Sequence, residues 1–378
     1  MHFRAQMPVT RRWAYFDHAA VAPLPAPTAT TMAAWSTEAS EEGDTAWPRW
    51  NRQVQQIHHL AAELCGAHAD EIGLVPNTTA GINVVAEGYP WRAGDNLVTL
   101  ANEFPSNQYP WLQLLRRGVE TRRVSVDPSG KVDWSRLLAA CDQRTRIVSL
   151  SWVGFATGWR LDLQEAAERI HQAGALFFLD AIQGLGLFPL NLAETPVDFL
   201  AADGHKWMLG PEGAGILYVR RRHLDLLQPT GVGWNSVTHP YDFDRIELEL
   251  KPSAARYEGG SQNIVGLLAL GCSLRLLQSF GLTPFQSPLA ERVLALTDLA
   301  CEELQGVGAR IITRRDGQHR SGIVAFQLPG QDLEALRRTC LQAGVALSYR
   351  GGCLRISPHA YGNEDDIARL VAELKRAG

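Results

Sequence analysis

The stretch "DLQEAAERIHQAGALFFLDA", residues 162–181, decides the fold class. Its first part reads as a helix over 162–174: Asp162 and Glu165 have the spacing of a capping box, and Gly174 supplies a C-terminal stop. "ALFFLDA" (175–181) then runs apolar without alternation, as a strand covered on both faces does. The flanking segments repeat the pattern. "RIVSLSWV" (146–153), "VDFLAAD" (197–203) and "GAGILYVR" (213–220) read as further buried strands. Such runs with helices between them imply an α/β protein with a mainly parallel sheet, and the large domain is expected over residues 16–255. After about residue 256 the character changes. Long helical patterns such as "SPLAERVLALTDLACEELQG" lead to short strands and a final helix. Residues 256–378, with 1–15, are expected to form a smaller α+β domain.

Composition narrows the function. The chain has 378 residues, 46% of them hydrophobic, and a net charge of -4, enough apolar mass for a large core. No run of Lys and Arg suits nucleic acid or a membrane surface, and no apolar stretch reaches the roughly 18 residues of a membrane span. The N-terminus lacks the apolar centre of a signal peptide, so a soluble cytoplasmic protein is expected. Six cysteines are scattered without a CxxC pair or a Cys/His cluster. Neither a zinc site nor a disulfide framework is expected, and no metal.

In an open α/β sheet, ligands bind beyond the carboxyl ends of the strands. Polar residues that end the apolar runs therefore carry the site. Lys206 is one of only four lysines in an arginine-rich chain, and it follows "VDFLAADGH". Burial of its stem would lower the amine's pKa and make it a nucleophile for carbonyls. A lysine that reaches past an apolar rim to pair with Asp203 fits the same segment. Asp180, at the end of "ALFFL", would lie deep and need a strong partner. The protonated ring nitrogen of pyridoxal phosphate is such a partner, and Gln183 could donate to the phenolic oxygen of that cofactor. A helix cap would serve Asp180 equally. "VPNTTAGINVVAEG" (75–88) places Thr78 and Thr79 at a helix start, where free N–H groups bind phosphate, and by itself the segment reads first as an ordinary N-cap. Together the segments supply an amine, a carboxylate and a phosphate cradle.

These residues resemble the class V aminotransferase family of fold-type-I pyridoxal phosphate enzymes, which includes cysteine desulfurases, selenocysteine lyases and isopenicillin N epimerase-like proteins. "YFDHAAVAPLP" (15–25), "NTTAGINVVAEG", "NEFPSNQYPW" (102–111), "FLDAIQGLG" with "VDFLAADGHKWMLGPEGAGILYV", "YEGGSQNIVG" (257–266) and "LRISPHAYGNEDDI" (354–367) follow the family's order. The resemblance implies a fold-type-I transferase and pyridoxal 5'-phosphate as cofactor. Lys206 would form the Schiff base, Asp180 would hold the ring nitrogen protonated, and Gln183 would contact the phenolic oxygen. Thr78, Thr79 and His205 would bind the phosphate, and Phe104 would stack on the ring. Arg355 would hold the substrate carboxylate. Ser261 would reach the phosphate of a partner subunit, so a homodimer with shared sites is implied.

The chain departs from the family pattern at four places. Phe104 replaces the desulfurases' stacking His and cannot move protons. Trp152 replaces an Asn, which implies a changed contact near the substrate. Asp203 replaces a phosphate-binding Ser, and its charge would repel a phosphate unless it turned away or paired with a cation. Finally, "YRGGCLRIS" leaves no room for the loop that carries the desulfurases' nucleophilic Cys. Cys353 shares a strand face with Arg355 but reads as a small core residue. Transamination or a β-lyase reaction is therefore expected ahead of desulfuration or epimerisation. "HAAVAP" and "GVGWNSV" (231–237), with Trp234, are expected to line part of the pocket. A nicotinamide-binding reading would need a GxGxxG turn that "GLGLFP" (184–189) does not supply. A non-catalytic cofactor-binding protein is the remaining alternative.

Overall fold

A computed structural model describes residues 3–377. Its main sheet has seven strands: β1 (Ile72–Val75), β2 (Asn96–Leu100), β3 (Glu120–Val124), β4 (Thr145–Ser151), β5 (Leu176–Asp180), β6 (Phe199–Asp203) and β7 (Gly215–Val219). Their order is β1-β7-β6-β5-β4-β2-β3. The run β3-β2-β4-β5-β6 is parallel throughout. β7 departs from the expected parallel arrangement: it is antiparallel to both β6 and β1. The connection from Gly204 to Ala214 holds no helix, and a parallel return needs a crossover of about a dozen residues or more. The reversal lets this short loop, which carries Lys206, stay at the carboxyl end of the sheet.

The helix after β4 spans Leu163–Gln172, and the Asp162 carboxylate caps it by accepting from the Glu165 N–H at 3.1 Å. Glu165 turns instead to Arg169, 2.9 Å away, so only half of the expected capping box forms. Gly174 ends the turn with φ +79°. Buried apolar residues from the helix and from β4 to β6 share one core.

A second, four-stranded antiparallel sheet is built from Arg310–Ile311, Val324–Gln327, Ser348–Arg350 and Cys353–Ile356. It has its own core, with Phe326, Leu354 and Leu370. The N-terminal segment joins it: Ala14–Tyr15 pairs in parallel with Val345–Ala346, and Arg4 bonds Asp366 at 2.6 Å. The helix Ile264–Ser279, placed with the smaller lobe on sequence, buries Leu267, Leu270 and Leu274 in the core of the large sheet. The following helix, Pro288–Gly306, passes from one core to the other between Val293 and Leu296. No helix among the described residues is long and apolar enough to cross a membrane.

Candidate active site

The carboxyl ends of β5 and β6, the start of the helix Thr78–Gly88 and the strand Cys353–Ile356 converge on a cavity of about 370 Å³. Lys206, Asp180, Gln183, Thr78, Thr79, Phe104, His205 and Arg355 all line it.

Lys206 lies in the loop after β6, where burial pushes its amine down to about 8. Asp180 acts in the opposite direction, as does the more weakly felt Asp203, so the amine is neither stripped of its proton nor locked as a cation. Lys206 Nζ stands 5.6 Å from the centre of the Phe104 ring. Asp180 ends β5 fully buried, and burial raises its carboxyl to about 6. One of its oxygens accepts the Ile182 N–H at 3.2 Å. The Gln183 amide is fixed at both ends: its oxygen accepts from Trp207 Nε1 at 2.9 Å and its nitrogen donates to the Ala19 carbonyl at 3.0 Å. One N–H of that amide remains for a further acceptor. Gly186 holds the loops of Asp180 and Lys206 together. Its φ is +93°, and a Cβ there would stand 2.6 Å from the Met208 nitrogen.

At the start of the helix Thr78–Gly88, Asn77 caps the Ala80 N–H at 2.8 Å. The N–H groups of Thr78 and Thr79 find no acceptor among the described residues. The Thr78 hydroxyl accepts the Asp203 N–H at 2.9 Å, which ties the helix start to the end of β6. The Thr79 hydroxyl bonds Ser106 at 2.8 Å. Asp203 does not turn away. Its Oδ2 lies 2.9 Å from His205 Nδ1, while its Oδ1 is buried without a partner.

Arg355 is almost completely buried, which lowers its pKa, and Asp17 opposes that effect. Its guanidinium donates to the Phe155 carbonyl at 2.6 Å, to Ser348 at 2.9 Å and to Asp17 at 3.2 Å. Its buried Nε has no acceptor.

Two sequence expectations need correction, those for Trp152 and Trp234. Ser261, expected at a partner subunit's phosphate, is exposed and lies in a neighbouring depression with Pro76, Ala80 and Gly213. Trp152 does not line the cavity. It is buried against Gly184 and Phe188, behind the loop that follows Asp180, because its backbone pairs with the end of β5 and sends the indole into the core. Of the two segments expected to line the pocket, Ala19, Ala20 and Val21 do, and Trp234 does not. Trp234 packs near Tyr241 instead. Cys353 is buried outside the cavity, and burial raises its thiol.

Other residues at the site escaped sequence reading. Asp17 orients Arg355 and is hydrogen-bonded by Ser348. Glu103, raised to about 7 by burial, accepts the N–H of Ser151 at 2.8 Å and also its hydroxyl, anchoring the segment of Phe104 to the end of β4. Phe155 meets Phe104 edge to face at 5.2 Å. Arg350 lines the cavity beside Arg355. The adjacency of Glu103 to Phe104 in "NEFP" was the one available signal among these.

A parallel sheet with a buried lysine and carboxylate at its carboxyl end, facing a phosphate-type helix start, defines a fold-type-I pyridoxal phosphate enzyme. The chain belongs to the class V aminotransferases: the family model "Aminotransferase class-V" matches residues 14–370. It is 30% identical to a protein named probable cysteine desulfurase from Methanothermobacter thermautotrophicus, over 98% of this chain and 96% of that one. A second protein of that name, from Chlamydia trachomatis, is 33% identical over 85% of this chain and 82% of its own. Among solved structures, the complex of the cystine C-S lyase C-DES with its product cysteine persulfide superposes with a TM-score of 0.91, at 23% identity, over 99% of this chain and all of that one. The fold is thus shared, and the chain is a pyridoxal-phosphate-dependent enzyme.

Proposed function

We propose that this enzyme is a β-lyase that cleaves the Cβ–S bond of a sulfur-containing L-amino acid, with Lys206 as its amine and proton-transfer group. The observation that carries this reading is the hairpin beside Arg355. Arg350 pairs directly with Cys353 across the two-residue turn Gly351-Gly352, both at positive φ. No loop is left to bring a thiol to the substrate, and none of the six cysteines lines the cavity. Sulfur must then depart with its own electron pair rather than transfer to the protein. The names of the relatives support a sulfur amino acid as substrate class.

The residues fit pyridoxal phosphate. A buried carboxyl raised to about 6, two free N–H groups at a helix start and a spare N–H on Gln183 each match a different part of it. When bound, the cofactor supplies an electron sink for the pair released at the α-carbon. Lys206 would hold its aldehyde, Asp180 would face the ring nitrogen and Gln183 the phenolic oxygen. Phe104 would cover the ring, and Thr78, Thr79 and His205 would take the phosphate. Asp203 lies beside this cradle, with its Oδ2 2.9 Å from His205 Nδ1. Arg355, held in place by Asp17 and Ser348, would fix the α-carboxylate. Lys206 then removes the α-proton, and its depressed pKa lets it work near neutrality. Phe104 offers no second acid on the far face, so inversion is disfavoured.

Homodimerisation belongs to the same reading. Ser261 is exposed next to the phosphate-type helix start, where it could serve a partner's site. Tyr241, Phe243, Ile246 and Leu248 expose apolar surface on a neighbouring arm. A cytoplasmic setting suits the unpaired cysteines.

Two variants test the proposal. Lys206→Ala should abolish keto-acid formation and the borohydride-reducible bond to the cofactor. Cys353→Ser should keep wild-type turnover. Loss of turnover in Cys353→Ser would sink the lyase reading.

A further inference from the structure

The cavity contains two guanidinium groups, and only one is neutralised. Arg355 has Asp17. Arg350 donates to the carbonyl of its own neighbour Tyr349 at 3.0 Å, and no carboxylate pairs with it among the described residues. Both groups belong to one hairpin. Ser348 stands opposite Arg355 and Arg350 opposite Cys353, so Arg350 and Arg355 are diagonal neighbours on the same face. Diagonal positions on paired strands lie roughly 7–8 Å apart. Arg355 sits deep, while Arg350 is exposed at the mouth. The wall around them includes Val21, Phe104, Phe155 and Ile182.

The arrangement is a deep anchor for one anion, an apolar stretch, and an uncompensated cation at the rim. A free amino acid with a short neutral side chain would use only the first. We propose that Arg350 binds a second anion at the far end of the substrate. The substrate is then an L-amino acid whose β-sulfur substituent ends in a carboxylate or sulfonate. This rests on the β-lyase reading above. The reaction balances without an oxidant or reductant. The α-proton goes to Lys206, the Cα–H pair becomes the Cα=Cβ bond, and the Cβ–S pair leaves on sulfur. Water then converts the released enamine to pyruvate and ammonia. A persulfide or thiosulfate leaves more readily than a simple thiolate, and both occur naturally on substituents with a distal anion.

The test is steady-state pyruvate formation by the holoenzyme with L-cystine, S-sulfo-L-cysteine and β-chloro-L-alanine, for wild type, Arg350→Gln and Arg350→Lys. Cystine tests the carboxylate, S-sulfocysteine the sulfonate, and chloroalanine has no distal anion. In Arg350→Gln, KM for at least one anionic substrate should rise about tenfold or more beyond any change for chloroalanine, the scale of one charged hydrogen bond. The kcat values should change little, and Arg350→Lys should recover part of the loss. Whichever anionic substrate responds identifies the anion. Equal effects on all three substrates, or no effect, would overturn the proposal, while wild-type pyruvate formation from the sulfur substrates upholds the lyase reading. Absence of pyruvate from both L-cystine and S-sulfo-L-cysteine in wild type would overturn both.

Discussion

Lys206 and Asp180 set each other's charge. Burial pulls the amine down to about 8 and pushes the carboxyl up to about 6, while their mutual attraction opposes both shifts. An ordinary lysine is almost wholly protonated at neutral pH and reacts poorly with an aldehyde. The incorporation rate of pyridoxal phosphate into the cofactor-free protein should therefore rise with pH and level off above about 8. Stopped-flow absorbance would show it, and a rate still climbing at pH 10 would contradict it. Asp180→Asn removes the charge that supports the lysine cation, so the midpoint should move to lower pH. Sequence alone pointed to both residues, because a scarce lysine and a lone carboxylate each ended an apolar strand. Arg350 was not legible in the same way. Arginines are abundant in the chain, and only the register of a tight hairpin brings this one to the cavity. Asp17 was hidden for a related reason: its partner Arg355 is distant in sequence.

At the scale of elements, the site depends on loops that touch backbone to backbone. The loop after β5 carries Asp180 and Gln183, and the loop after β6 carries Lys206. They meet where Gly186 packs on Trp207 and Met208. Gly186→Ala would place a Cβ against backbone at a positive φ, where neither side can yield. A loss of more than about 2 kcal/mol is expected in denaturant unfolding, with weaker cofactor retention. Leu209, at φ +58°, is a further strained position on the Lys206 loop. The sequence pattern located these loops through the apolar strands before them. It did not disclose that β7 runs antiparallel, because a fully buried strand has the same composition in either direction. It also misplaced Trp152, since a residue at a strand end can point into the cavity or behind it, and only pairing with β5 decides.

At the scale of the whole molecule, two cores meet at the cavity. The large sheet supplies the amine and the carboxylate, and the smaller sheet supplies both arginines. The smaller sheet also carries the observation behind the proposed lyase chemistry: its hairpin closes in two glycines, with no cysteine-bearing loop there. The central claim is that sulfur leaves with the substrate's own fragment and never resides on the protein. The most direct test incubates holoenzyme with L-cystine, quantifies pyruvate against alanine, and measures the intact mass of the protein. Pyruvate and ammonia should form in equal amounts, with no alanine and with unmodified cysteines. Alanine as the main product, with one added sulfur on Cys353, would contradict it.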